Sequence, residues 1–152
     1  MDKPKKKTVY LDNCCFNRPY DSQLQEKVHL ETEAKLYVQD LIKQNSLDLI
    51  WSFMLDFENS ANPLAEQKES ILEWKYTAKT TVQALDEVRI SANKIQLETN
   101  LKSKDALHIA CAIHAKADFL LTTDTRMLKS KINGILIVNP VEFVFILSEE
   151  AL

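Results

Sequence analysis

Short apolar runs and longer helical stripes alternate along this chain. Thr8 to Asp12, Thr-Val-Tyr-Leu-Asp, is a β-branched and apolar run closed by an acid and Asn13, which predicts a strand followed by a turn. After a loop containing Arg18-Pro19, residues Leu30, Ala34, Tyr37, Val38, Leu41 and Ile42 recur at helical spacing, one stripe for a helix of about four turns ending at Asn45-Ser46. Leu47 to Phe53 predicts a second strand, leading into a helix that begins over Met54 to Glu58, and Pro63 starts a further helical segment. From Thr80 to Leu97, Val82, Leu85, Val88, Ala92 and Ile95 return every three or four residues and predict another helix, with Asn100 as its cap in place of glycine. The helix opened by Asp105 is apolar almost all round and belongs in the interior. Phe119 to Thr123 and Ile135 to Val138 predict the third and fourth strands, and Pro140 begins a C-terminal helix. Strands alternating with helices give an α/β fold, three layers of α/β/α around a mostly parallel sheet of four or five strands.

Composition narrows this picture. The 152 residues suit one domain, expected over 8–152 behind a basic flexible tail at 1–7. No apolar run approaches the roughly 18 residues that span a bilayer, and no apolar signal core follows the basic start, so the expected location is cytoplasmic with no membrane partner. Cys14, Cys15 and Cys111 are odd in number, lack CxxC spacing and lie in apolar surroundings, which argues for reduced, core-packed thiols. Gly134 is the only glycine, and this excludes both a P-loop and a GxGxxG dinucleotide turn.

The chemistry-bearing positions are acids at the ends of apolar elements. Asp12 and Asp124 close strands; Glu58 and Asp105 are expected in the first turns of helices. Singly, each has a bland reading: Asp105 and Asp124 as helix N-caps, Asp12 with Asn13 as a turn, Glu58 as a solvated helical glutamate. In an open parallel sheet, however, strand C-termini and the adjacent helix ends converge on one crevice. Carboxylates crowded there repel one another unless a divalent cation neutralises them, and an all-oxygen set suits Mg²⁺ or Mn²⁺. Such ions serve phosphodiester hydrolysis. Setting aside the four acids moves the formal charge from −3 to +1, so the acidic total does not exclude a nucleic-acid substrate. Lys102, Lys104, Arg126, Lys129 and Lys131 are close in sequence to the proposed site.

Val-Tyr-Leu-Asp12-Asn13, Ser52 to Glu58, Lys104-Asp105-Ala-Leu-His-Ile-Ala and Leu-Leu-Thr-Thr-Asp124 together resemble, in order and spacing, the PIN-domain family, from Thr8 to Asn139-Pro140. The resemblance implies a parallel sheet flanked by helices, with Asp12, Glu58, Asp105 and Asp124 binding Mg²⁺ or Mn²⁺ for cleavage of RNA, and Thr122 as a supporting hydroxyl. Size and architecture are similar to the VapC-type toxins of toxin–antitoxin pairs, which implies a homodimer and a cognate antitoxin. Asn13-Cys14 departs from the small hydroxyl residue that many members carry after the first acid, which bears on how water or substrate is positioned. Asp56 competes with Glu58 for the second position, and Glu58 fits the family spacing better. Arg18 and Arg126, each close behind one of the acids, are candidates for phosphate contact, with surface ion pairs as their alternative. His108 and His114 are six residues apart, not on one helical face, so packing or a hydrogen bond is expected of them rather than catalysis. Two other functions compete: a non-catalytic PIN-fold module that binds RNA or protein, and a haloacid-dehalogenase-like phosphatase with Asp12 as nucleophile. The second lacks its expected acid, since Cys14 occupies that position.

Overall fold

A computed structural model describes residues 6–150. Among them, five strands form one all-parallel sheet in the order β3-β2-β1-β4-β5. The strands are β1 (Lys7–Leu11), β2 (Leu47–Ser52), β3 (Thr80–Val82), β4 (Phe119–Leu121) and β5 (Leu136–Val138). The helices are α1 (Asn13–Asn17), α2 (Glu26–Lys43), α3 (Phe53–Ser60), α4 (Ala65–Thr77), α5 (Asp86–Thr99), α6 (Ser103–His114), α7 (Thr125–Lys129) and α8 (Pro140–Glu150), with a 3-10 turn at Arg18–Tyr20. The α/β architecture agrees with the sequence expectation, and the strand count is the upper of the two expected values.

β1 lies in the middle of the sheet because its side chains are apolar on both faces; Val9, Tyr10 and Leu11 are fully buried. It pairs with β2 on one side and β4 on the other, so Leu11 stands beside Leu121. One further bond, from the Asp12 N–H to the Leu121 carbonyl at 3.0 Å, carries this register past the strand end. Asp12 and Thr122 are thereby fixed as neighbours. α6 packs Ile109, Ala110, Cys111 and Ala112 into the core without exposure, as its nearly all-round apolar sequence requires.

Three boundaries stand apart from the sequence expectation. The helix expected from Thr80 begins only at Asp86, because the β-branched Thr80-Thr81-Val82 pairs with β2 as an edge strand. Leu85, counted in that helical stripe, is its half-exposed N-cap. Asp12-Asn13 is not a free turn: Asp12 caps α1, accepting from the Asn13 N–H at 2.7 Å. β1 begins at Lys7, which pairs with Glu150 at 2.9 Å, so the tail expected over 1–7 is shortened at its inner end, and residues 1–5 lie outside the described residues. Asn100 does end α5 in the left-handed conformation, φ 61°, as expected of it.

The face of α2 is rotated from its expected orientation. Leu30 and Tyr37, read as core, are 56% and 50% exposed, whereas Glu31, Lys35 and Gln39 are buried beside Val28, Ala34, Val38 and Ile42. Glu31 accounts for part of this: it accepts from Arg18 at 3.0 Å and from the Asn139 amide at 2.5 Å, tying the 3-10 turn to α2 and to the start of α8. Among the described residues, Lys35 has no such carboxylate. Its ammonium sits over the Phe16 ring, 5.8 Å from the centroid, and burial pushes its pKa down from 10.5 to about 8. From about pH 8 to 10.5 the unfolded chain carries a proton at Lys35 that the folded protein has given up, so stability rises with pH across that window. Lys35→Met is therefore expected to be roughly 1–3 kcal/mol more stable at pH 7 and to lack that rise. Urea melts of both proteins at pH 7, 8.5 and 10 measure this; parallel pH profiles would show that Lys35 is not the group responsible.

Candidate functional site

The four expected acids gather at the C-terminal edge of the sheet, where the crossing order places the ends of β1 and β4 side by side. Asp12 is held most firmly. Its Oδ2 accepts from the Thr122 hydroxyl at 2.9 Å and from the Cys14 thiol at 3.4 Å, while Oδ1 takes the Asn13 N–H. Thr122 is fully buried and also accepts the Asp124 N–H at 3.1 Å, so one hydroxyl fastens the first acid to the fourth. Asp124 caps α7 through the N–H groups of Arg126, at 2.8 Å, and Met127, at 3.1 Å. Its capping role, one of the two readings of its sequence, is real and leaves the second carboxylate oxygen out of those bonds.

Glu58 arrives from α3, which Ser52 caps through the Leu55 N–H at 3.3 Å. It lies in the second turn of that helix, not the first; the residue in the first turn is Asp56. The two have different surroundings. Asp56 accepts from the Trp51 indole at 3.0 Å and pairs with Lys75 at 3.0 Å, whereas Glu58 meets Asp12 and His108, with one donor atom from each of the three within 4.8 Å of the others. Asp105 is not the N-cap of α6, a position held by Lys102, but stands in its first turn. Among the described residues its carboxylate makes no hydrogen bond or ion pair, and it is half-buried. Burial, then the charges of Asp124 and Asp12, raise its pKa above the usual carboxylate range. Asp105 and Asp124 stand outside the compact donor group and act on it through their charge.

Cys14 and Arg18 differ from what their sequence context implied, and His108 has the burial and hydrogen bonding expected of it but in the company of the acids. His108, expected to fill core or make an ordinary hydrogen bond, is 1% exposed and faces the carboxylates: Nε2 bonds to Glu58 and lies 3.5 Å from Asp12 Oδ1. Burial alone would lower the imidazole pKa, but the Asp12 and Glu58 carboxylates outweigh it and hold the pKa above its ordinary value. Cys14, expected in the core with Cys15, is half-buried at the site, its sulfur 3.4 Å from Thr122 Oγ1 and from the Thr123 N–H. Arg18 does not reach out for a phosphate: its guanidinium is engaged by Glu31 and, at 2.9 Å, by Asp21. Arg126, by contrast, is exposed and lines a cleft with Lys102, Asp105, Thr123, Asp124 and Thr125. Asn13 and Glu58 line a second depression, so the acids open to solvent on either side.

The residues fit a divalent cation on their own chemistry. Two carboxylates converge beside His108, and burial together with the charge of Asp124 and Asp12 raises the pKa of a third, Asp105; a bound cation relieves the crowding.

A search against protein families matches the PIN domain over residues 57–132, half of the chain. The chain belongs to the PIN-domain family. The match takes in Glu58, Asp105 and Asp124, while Asp12 on β1 is joined to them by the fold. Among solved structures the chain is similar to VapBC2 from Rickettsia felis bound to a DNA fragment from its promoter, with a TM-score of 0.55 at 15% identity over 87% of this chain and 98% of that one. It is similar to DNA-bound VapBC from Salmonella typhimurium to nearly the same degree, with a TM-score of 0.54 at 15% identity over 88% of this chain and 98% of that one. At that identity the likeness is one of fold. A search of curated proteins finds no match.

Proposed function

We propose that this PIN-domain protein is a Mg²⁺- or Mn²⁺-dependent endoribonuclease, with Asp12, Glu58, Asp105 and Asp124 as its acidic site. The observation that carries the reading is the meeting of Asp12 and Glu58, from elements 46 positions apart in sequence, at a sheet edge where Asp105 and Asp124 add their charge. A bound divalent ion supplies Lewis-acid polarisation and charge neutralisation at a scissile phosphate. The chain's own residues do the rest. Thr122 and the Asn13 N–H orient Asp12, and a carboxylate oxygen of Glu58 or Asp105 takes the proton from the attacking water. Lys102 and Arg126, exposed along the cleft beside Asp105 and Asp124, balance the charge of the flanking phosphates.

The distinction between Glu58 and Asp56 tests this reading. Glu58→Gln is expected to lower RNA cleavage in Mn²⁺ or Mg²⁺ by about tenfold to a hundredfold, whereas Asp56→Asn, which removes a charge bonded to Lys75 and Trp51, leaves cleavage unchanged. Equal losses in the two variants, or a wild-type protein that cuts no RNA with either ion, would return the chain to a non-catalytic binding role.

The VapBC neighbours support a further part of the proposal, a toxin-like role with an antitoxin partner; action as a homodimer on RNA in the cytoplasm is proposed with it from the family resemblance alone. Whether a small antitoxin-like gene lies beside this one, and whether its product co-purifies with this protein and abolishes cleavage on co-expression, measures that part separately.

A further inference from the structure

His108 sits among the acids in a manner that core filling does not require. Its Nε2 shares the compact group with Asp12 and Glu58. Its other nitrogen, Nδ1, lies 2.5 Å from the Tyr10 hydroxyl, which in turn lies 2.6 Å from Ser52 Oγ. All three side chains are buried, Tyr10 and Ser52 without exposure, so the row runs from the N-cap of α3 through the central strand to α6 without water access. Ser52 Oγ accepts the Leu55 N–H with one lone pair and keeps a second for Tyr10. The row can be read in two directions: with Nε2–H donating to Glu58, Tyr10 donates to Nδ1 and Ser52 to Tyr10; with Nε2 free of its proton, Nδ1–H donates to Tyr10 and Tyr10 to Ser52. The first arrangement is the one that the Nε2–Glu58 bond requires without a cation; in the second, a divalent cation would take the place of that proton, with the Nε2 lone pair facing the two carboxylates.

Metal-bound histidines are held in this way, with the distal ring nitrogen bonded to a partner that fixes tautomer and ring orientation. Donors that share one small divalent ion, each at about 2.0–2.2 Å, lie within about 4.4 Å of each other. The Asp12, Glu58 and His108 donors, all within 4.8 Å, are near that spacing. We infer that His108 Nε2 is a metal ligand of this site alongside Asp12 and Glu58, oriented by the Tyr10–Ser52 row, and that the mixed donor set favours Mn²⁺ over Mg²⁺. The inference rests on the metal-dependent reading above and deepens it. Mg²⁺ prefers oxygen donors and gives up its waters reluctantly, whereas an imidazole nitrogen suits the transition metals better.

Pulsed electron paramagnetic resonance of Mn²⁺ added to the full-length protein tests the ligand directly. The expected spectrum carries modulation from a bound nitrogen that changes on labelling the histidines with the heavy nitrogen isotope, and this readout needs no variant. In calorimetry, His108→Gln is expected to lower the Mn²⁺-to-Mg²⁺ affinity ratio about tenfold or more, while Tyr10→Phe keeps the nitrogen modulation but weakens Mn²⁺ binding by about tenfold. Bound Mn²⁺ without directly bound nitrogen would overturn the role of His108 and leave the nuclease proposal standing. Absence of any Mn²⁺ or Mg²⁺ binding would remove both.

Discussion

Asp12→Asn is expected to lower RNA cleavage by about a hundredfold or more while leaving the fold intact. Asparagine keeps the side-chain oxygen that caps α1 through the Asn13 N–H, so the local backbone holds. What is lost is a negative charge at the point where Glu58, His108 and Thr122 converge. Two readouts separate the site from the scaffold. In the absence of added metal the variant should melt within a few degrees of wild type. On addition of Mn²⁺, wild type should gain stability in proportion to occupancy, and the variant should gain much less. If Asp12→Asn cleaved RNA at the wild-type rate, the acid at the end of β1 would be only a helix cap.

The second large effect is on stability. Leu121→Ala is expected to cost about 2–5 kcal/mol in urea or thermal unfolding, a substantial share of the roughly 5–15 kcal/mol that holds a domain of this size together. Leu121 is fully buried at the end of β4, and its carbonyl accepts both the Asp12 N–H and the Cys15 thiol, at 3.3 Å. A cavity there lets the β4 end settle, and with it Thr122. Metal affinity should therefore fall together with stability, although no charged group has been touched. Leu136→Ala is the control: at the sheet edge on β5 and mostly exposed, it should change stability by well under 1 kcal/mol. Similar losses from both substitutions would mean that the core around β4 is not packed as described.

Much of the fold is legible because two periodicities carry it. β1, β2, β4 and β5 are short apolar runs bounded by turn residues, and α6 is apolar all round, so each has one sensible place. β3 was hidden because Val82 and Leu85 are spaced like neighbours on a helix, and three residues are too few for an alternation to be visible. The buried face of α2 was hidden for another reason: Glu31, Lys35 and Gln39 have the composition of a solvated face, and only the position of Arg18 and Asn139 makes Glu31 an interior residue. The acids at strand ends were readable from topology alone, since strand C-termini in a parallel sheet share an edge.

His108 and Tyr10 were readable too, by a signal that is easily passed over. His108 follows Asp105 by three residues on one helix, the spacing that puts both on the same face. Tyr10 precedes Asp12 by two at the end of one strand, the spacing that sends both side chains the same way. His114, six residues on, lies on a different face of α6. The ion pairs of Arg18 and Asp56, by contrast, depend on partners from other elements, Glu31 and Lys75, and nothing in their local sequence announces them.

The central place of β1 has a consequence for synthesis. Its two neighbours in the sheet, β2 and β4, begin at Leu47 and Phe119, and the Asp12–Thr122 bond joins residues 110 positions apart. Parallel pairings of that reach form late, after the long intervening segments have been brought together. A nascent chain on the ribosome already carries Asp12 and Glu58 when β4 has yet to be made, so the protein's newest copies hold the acids without the edge that assembles them. The edge itself is complete only once β4 has been made.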